Sequence, residues 1–232
     1  AEELGKGGYG PRMRIVRINA LDTHWGSEDA CAVARMDCDA VLLPKVTGPG
    51  DIDAIAALVP DKPIWAMMES PAGILNAAAI AAHPALGGFV IGTNDLAKDL
   101  GTRTTPDRAA LWTALQTCVL AARAYGVVVL DGVYNAFKDA EGLRAECQQG
   151  RDFGMDGKTL IHPAQLEIAN AVFAPSEAAL ETARRRLAAH DAAIAEGQAV
   201  AVVDGQIVEN LHVETARATL AKAEAIAELE SA

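Results

Sequence analysis

The chain has 232 residues, 51% hydrophobic and 22% charged, with a formal net charge of −11. That length can bury a substantial core in one or two domains, and the acidic balance argues against a nucleic-acid surface, which needs Lys and Arg in excess. No apolar run reaches the about 18 residues of a membrane span, and the opening AEELGKGGYGPRMR lacks both a signal-peptide apolar core and an initiator Met, so Ala1 is expected not to be the natural start.

Short apolar runs then alternate with amphipathic segments. RIVRIN (14–19) precedes a helix around 26–36, AVLLPKV (40–46) leads into 50–58, and PIWAMME (63–69) leads into 71–82. GFVIGTND (88–95) is followed by a polar loop and a long helix over 106–125. VVVLDGVY (127–134) leads into 139–153, and GKTLIHP (157–163) into 163–172. Apolar runs of this length between helices predict a parallel sheet buried on both faces. Ser70-Pro71 and Thr105-Pro106 open helices, while HPALGG and YG close them. No GxGxxG follows the first strand, which disfavours an NAD-dependent oxidoreductase. Six βα units are visible, and a closed parallel barrel has eight. The expected fold is therefore α/β, a TIM (β/α)8 barrel lacking its first two βα units in this chain, over residues 1–173.

Residues 174–232 leave that rhythm. APSEAALETARRRLAAHDAAIAEG (174–197) predicts a long helix ending at Gly197. AVAVVDGQIVEN (199–210) predicts a hairpin with Asp204-Gly205 as its turn, and 211–230 a final helix. This tail is expected to form C-terminal helices and a lid over a site or a neighbouring subunit. The four cysteines form no CxxC and have no His at metal spacing, which predicts reduced thiols of a cytosolic protein.

Functional groups of a βα barrel stand at the C-terminal ends of its strands. Those ends carry Arg17 and Asn19, Lys45, Glu69, Asn94 with Asp95, Asp131, and His162. Glu69 and Asp95 end successive strands, where a buried carboxylate needs a partner or a cation. Their all-oxygen character suits Mg²⁺. The alternative is that each caps the following helix or pairs with Lys45 or Arg17. Arg17 is a candidate carboxylate clamp or a structural ion-pair member. His162 is expected to bond backbone rather than act as a base, and Asp131 to cap the next helix.

RIVRINALDTHWG, DAVLLPKV, WAMMESPAGILN, GTNDLAKDLG, LDGVYNAFKDAEGL and GMDGKTLIHPAQLEIAN stand in this order along the chain. Together they resemble the citrate lyase β-subunit-like family of Mg²⁺-dependent CoA-ester enzymes, most of all its members acting on malyl-CoA. The resemblance runs through almost all of residues 12–230. It implies a TIM barrel with a C-terminal lid, two further N-terminal βα units, and assembly as a homo-trimer or homo-hexamer. It also implies Glu69 and Asp95 as Mg²⁺ ligands, Arg17 on the substrate carboxylate, and Gly92, Thr93 and Asn94 beside that group. Glu209 stands where the family's lid carries an Asp that reaches a neighbouring subunit's site; Asp204 is the alternative. The implied activity is hydrolysis of (3S)-malyl-CoA to malate and CoA in the cytoplasm, with Arg17 and Glu209 as the catalytic residues and no nucleic-acid or membrane partner. The alternatives are C–C cleavage of malyl-CoA or β-methylmalyl-CoA to glyoxylate and acetyl- or propionyl-CoA, or a carrier-dependent citrate lyase β subunit.

Overall fold

A computed structural model describes residues 2–198 and 200–231. After a single helical turn, α1 (Glu2–Gly5), the chain runs through β1 (Ile15–Arg17), α2 (Gly26–Ala34), β2 (Ala40–Leu43), α3 (Pro49–Ala56) and β3 (Ile64–Met68). It continues through α4 (Pro71–Leu75), α5 (Ala77–Ala81), β4 (Leu86–Ile91), α6 (Thr93–Asp99), α7 (Trp112–Tyr125) and β5 (Val128–Asp131). The remaining elements are α8 (Ala140–Asp152), β6 (Gly157–Lys158), α9 (Leu166–Phe173), α10 (Glu177–Ala195), β7 (Ala201–Val203), β8 (Gln206–Val208) and α11 (Asn210–Ser231).

Strands β1 to β6 pair in sequential order, each parallel to the next. Crossovers between parallel strands are right-handed. When every crossover also advances in the same direction, all the helices fall on one face, and the other face is enclosed by curling the sheet. The result is a curled parallel half-barrel of six strands in which β1 and β6 are not paired with each other. Six parallel strands in sequential order are what the sequence reading expected of this chain; the described residues do not close into an eight-strand barrel.

Successive side chains of a strand point to opposite faces, and two sets of core residues follow. Val41, Leu43, Ile64, Ala66, Met68, Phe89, Ile91 and Val129 pack on the helix side in the main core. Ile15, Ala40, Leu42, Trp65, Met67, Val90 and Leu130 form a separate cluster on the inner face. Arg17 pairs with Leu42, Leu42 with Trp65, and Trp65 with Gly88, so Arg17 belongs to the inner row. Two residues beyond Met67 that row reaches Glu69, and two beyond Val90 it reaches Gly92.

Local signals acted largely as expected. Ser70 Oγ accepts the Gly73 N–H at 3.1 Å to cap α4, and Asp139 caps α8 through the Gly142 N–H at 2.9 Å. Gly126 ends α7 in the left-handed region at φ +70, which a residue without Cβ adopts at no steric cost. The helix expected over 71–82 is instead two, separated at Asn76, whose Nδ2 donates to the Thr47 carbonyl at 2.7 Å. The long helix begins at Trp112 after a 3₁₀ turn at 109–111, not at 106.

The chain divides into two compact units, up to Phe173 and from Ala174 onward. In the second unit, Ala193, Ala201, Val208 and Val213 make a small core. Its hairpin turns at Asp204 (φ 51) and Gly205 (φ 75), the left-handed pair that an Asp-Gly two-residue turn requires. Ala199, where the hairpin was expected to begin, lies outside the described residues. Among the described residues no helix is long and apolar enough to cross a membrane. The four cysteines are free, and burial pushes the Cys118 thiol up to about 12, so it stays protonated and unreactive.

Candidate metal and substrate site

Glu69 follows β3 at the mouth of the inner face and is only 4% exposed. Its Oε1 accepts the Lys45 N–H at 2.7 Å. Lys45 is left-handed, φ 54, a conformation that costs a non-glycine residue about 1–2 kcal/mol; in it the N–H reaches the carboxylate. Glu69 Oε2 accepts no hydrogen bond among the described residues and lies against Gly92. A Cβ built at Gly92 would stand 2.6 Å from Oε2, so this glycine is required by close approach. Gly92→Ala is therefore expected to move the Glu69 carboxylate and lower kcat/KM about 10²-fold, the scale of an ångström of misplacement. Parallel Mg²⁺ titrations of the variant and the parent protein check it.

Gly92 precedes α6, and Asp95 is the third residue of that helix, half-buried. It was expected at a strand end. β4 stops at Ile91, because the Gly92 N–H closes the ladder on the Met68 carbonyl, and the chain turns into helix at once. The Asp95 charge nonetheless reaches Glu69. Burial pushes the Glu69 carboxyl above its ordinary range, the Lys45 N–H opposes that, the Asp95 charge adds to it, and the Lys45 and Arg17 charges oppose it. One buried carboxylate thus feels all four groups.

Arg17 is exposed at the end of β1 and makes no hydrogen bond or ion pair among the described residues. Asn19 is tied down, its N–H and Nδ2 donating to Asp29 Oδ2 at 3.0 and 2.8 Å. Thr93 is buried. Asn94 is exposed and exchanges two side-chain hydrogen bonds with Asn135, at 3.2 and 2.8 Å. The first turn of α6 leaves backbone N–H groups without intrahelical acceptors.

Glu69 and Asp95 fit Mg²⁺ by donor type. Both offer carboxylate oxygens, and the Glu69 Oε2 lacks a donor. Mg²⁺ is commonly held by one or two carboxylates and fills its octahedron with waters and substrate. No group of three or more His, Cys, Asp or Glu among the described residues is arranged as a metal cluster, so the candidate centre is a two-acid one.

Two other expectations resolve differently. Asp131 does not cap a helix. It is one residue beyond the inner-row Leu130, so its side chain lies on the helix side, fully buried. There it accepts Arg108 Nη1 at 2.7 and 3.0 Å and Lys158 Nζ at 3.1 Å. Lys158 Nζ also donates to Glu146 Oε1 at 2.6 Å, and Arg108 Nε to Gln149 Oε1 at 2.7 Å. Sequence reasoning missed Arg108, Glu146 and Lys158; the available signal was a lysine inside a strand otherwise read as buried. His162, as expected, serves the loop. Its Nδ1 accepts the Ala164 N–H at 3.1 Å and its ring stacks on Phe137 at 4.7 Å between centroids.

Of the two acids expected on a lid, Asp204 is engaged, with Oδ1 at 2.8 Å from Arg185 Nη1. Glu209 precedes α11; its N–H donates to His212 Nδ1 at 2.9 Å, and its carboxylate is exposed and unbonded among the described residues. Both belong to the second unit.

The sequence model of the HpcH/HpaI aldolase/citrate lyase family matches residues 9–163. A (3S)-malyl-CoA thioesterase of Cereibacter sphaeroides is 66% identical over 219 residues, covering 94% of this chain and 77% of the relative. An L-malyl-CoA/beta-methylmalyl-CoA lyase of the same species is 34% identical, covering 94% and 78%. Among solved structures, CitE of Mycobacterium tuberculosis in complex with magnesium, acetoacetate and coenzyme A superposes with a TM-score of 0.77 at 31% identity, covering 90% of this chain and 78% of that one. With two-thirds-or-greater coverage by relatives above 30% identity and a family pattern running from before β1 to beyond β6, the chain belongs to the HpcH/HpaI aldolase/citrate lyase family.

Proposed function

We propose that the chain is a Mg²⁺-dependent enzyme that hydrolyses (3S)-malyl-CoA to malate and CoA. The observation that carries the reading is 66% identity, along 94% of the chain, to a (3S)-malyl-CoA thioesterase. The Mg²⁺ requirement is supported by the paired Glu69 and Asp95 carboxylates and by magnesium in the CitE complex.

Glu69 and Asp95 would hold the ion, which when bound supplies Lewis-acid polarisation of substrate oxygen. Arg17 grips the malyl carboxylate with its planar fork, and the backbone at Gly92, Thr93 and Asn94 lies beside that carboxylate. Glu209 acts from a lid formed by the second unit over a neighbouring subunit's site. It takes a proton from water as the water oxygen bonds to the thioester carbonyl carbon. The C–S bond breaks, the CoA sulfur leaves and takes up a proton, and the new carboxyl of malate keeps the water oxygen. Glu209→Gln is expected to lower hydrolysis about 10²–10⁴-fold, the range of a general base, with Mg²⁺ affinity unchanged. Mixed oligomers of Glu209→Gln and Arg17→Ala subunits would recover activity, and a lid serving its own subunit would give none.

The 34% identity to a lyase supports the second reading, C–C cleavage to glyoxylate and acetyl-CoA. Product analysis with (3S)-malyl-CoA and Mg²⁺ separates the two: malate with free CoA supports hydrolysis, and glyoxylate overturns it. In the same reading the six βα units are part of an eight-unit barrel, and the protein is a cytoplasmic homo-trimer or homo-hexamer that binds free CoA thioesters without a carrier protein.

A further inference from the structure

We propose that Arg108, Asp131, Glu146 and Lys158 are positioning residues that set the first turn of α6, and with it Asp95, for the bound cation. The inference rests on reading Glu69 and Asp95 as the Mg²⁺ ligands. The four groups carry two charges of each sign behind the C-terminal ends of β5 and β6. The Arg108 and Lys158 side chains are 3% and 0% exposed, and Asp131 is 0% exposed. Replacing such a cluster with apolar groups of the same volume often costs no stability, so holding the core together does not account for it. Its hydrogen bonds indicate what it holds.

Both ends of the Gly132 residue are clamped. Its N–H donates to Asp131 Oδ1 at 2.8 Å, and its carbonyl accepts Lys158 Nζ at 2.5 Å. Gly132 in turn lies directly against the start of α6. A Cβ there would stand 2.5 Å from Thr93 Oγ1 and 3.0 Å from the Ile91 carbonyl. Three residues later Asn135 bonds Asn94 through both amides. The far end of the α6 connection is held by the same cluster. Arg108 terminates that loop in a left-handed conformation, φ 52, and Gln149, which accepts Arg108 Nε, donates its Nε2 to the Asp107 carbonyl at 2.6 Å. The residues bracketing Asp95 are thus fixed from the β5 side and from the loop that leaves α6. A two-carboxylate site for a cation that demands near-ideal octahedral geometry needs that restraint.

The test compares the parent protein with Asp131→Asn and with the paired variant Asp131→Asn/Arg108→Gln, which removes one charge of each sign and leaves no uncompensated buried charge. Calorimetric Mg²⁺ titration and amide exchange of the segment 92–99 are measured on each. The expected result is Mg²⁺ affinity weakened at least about 10-fold, the scale of outer partners of a metal ligand, with faster exchange concentrated in 92–99. A paired variant of lowered thermal midpoint that keeps parental Mg²⁺ affinity and parental exchange in 92–99 overturns the proposal; where Asp131→Asn fails to fold, the paired variant alone decides. If the parent protein binds no Mg²⁺, the metal reading fails separately, and exchange in 92–99 still decides whether the cluster positions α6.

Discussion

Glu69→Gln is expected to remove Mg²⁺-dependent turnover by at least about 10³-fold while making the metal-free protein more stable at neutral pH. Under the proposed reading of Glu69 as a Mg²⁺ ligand, the activity loss follows from losing a group whose ion supplies several kcal/mol of charge stabilisation, at about 1.36 kcal/mol per factor of ten. The stability gain follows from burial. The folded protein holds the Glu69 proton more tightly than the unfolded chain does, because desolvation raises the carboxyl above its ordinary 4.5. That preference is fully present below about 4.5 and is lost as pH rises through the higher folded value. Gln keeps an oxygen for the Lys45 N–H and never ionises, so it escapes the loss. Thermal midpoints in a chelator should therefore favour Glu69→Gln at pH 7.5 and converge with the parent below pH 4.5. Saturating Mg²⁺ should reverse the order, since ligand binding stabilises only the protein that holds it. A Gln variant less stable than the parent in chelator would refute the account of Glu69 as a carboxylate strained by desolvation.

Arg108→Met is expected to have the largest effect on stability, a loss of about 3–5 kcal/mol, as for other buried ion pairs deprived of one partner. For a chain of this length each kcal/mol is worth about 2–4 °C in midpoint, and urea midpoints at constant slope would measure it. The cost arises because Asp131, with no exposure, is left with Lys158 alone, and Lys158 must also serve Glu146. The paired Arg108→Gln/Asp131→Asn variant should cost less than Arg108→Met, because no unpaired charge remains. Equal costs would show that shape rather than charge dominates at this position.

The alternation of apolar runs and amphipathic segments, the cap at Ser70, and the stops at Gly126 and Gly197 were legible from the sequence, whereas the cap of α8 is Asp139 and not the expected Asp131. Each legible feature depends on residues within a turn or two of one another, where steric and hydrogen-bonding preferences act directly. Glu69 and Arg17 were legible as strand-end residues; that both continue the apolar inner row follows from the strand register. Asp95 was legible as an acid close to the end of β4 but not as part of a helix, because Gly92 permits strand or helix equally and pairing of its N–H with Met68 decides where the ladder stops.

Asp131 marks the boundary between what sequence and structure determine. Its distance from Leu130 is one residue, and in a strand one residue exchanges the inner face for the helix side. Its partners stand 23 and 27 residues away, on a loop and on a strand of two residues whose pairing no local pattern specifies. By itself the sequence determined a parallel βα chain, two acids close to the ends of successive strands and a distinct C-terminal segment. Only the tertiary structure decided which face each strand-end carboxylate meets, because burial and charge pairing at those positions depend on strand register and on side chains brought together from distant segments.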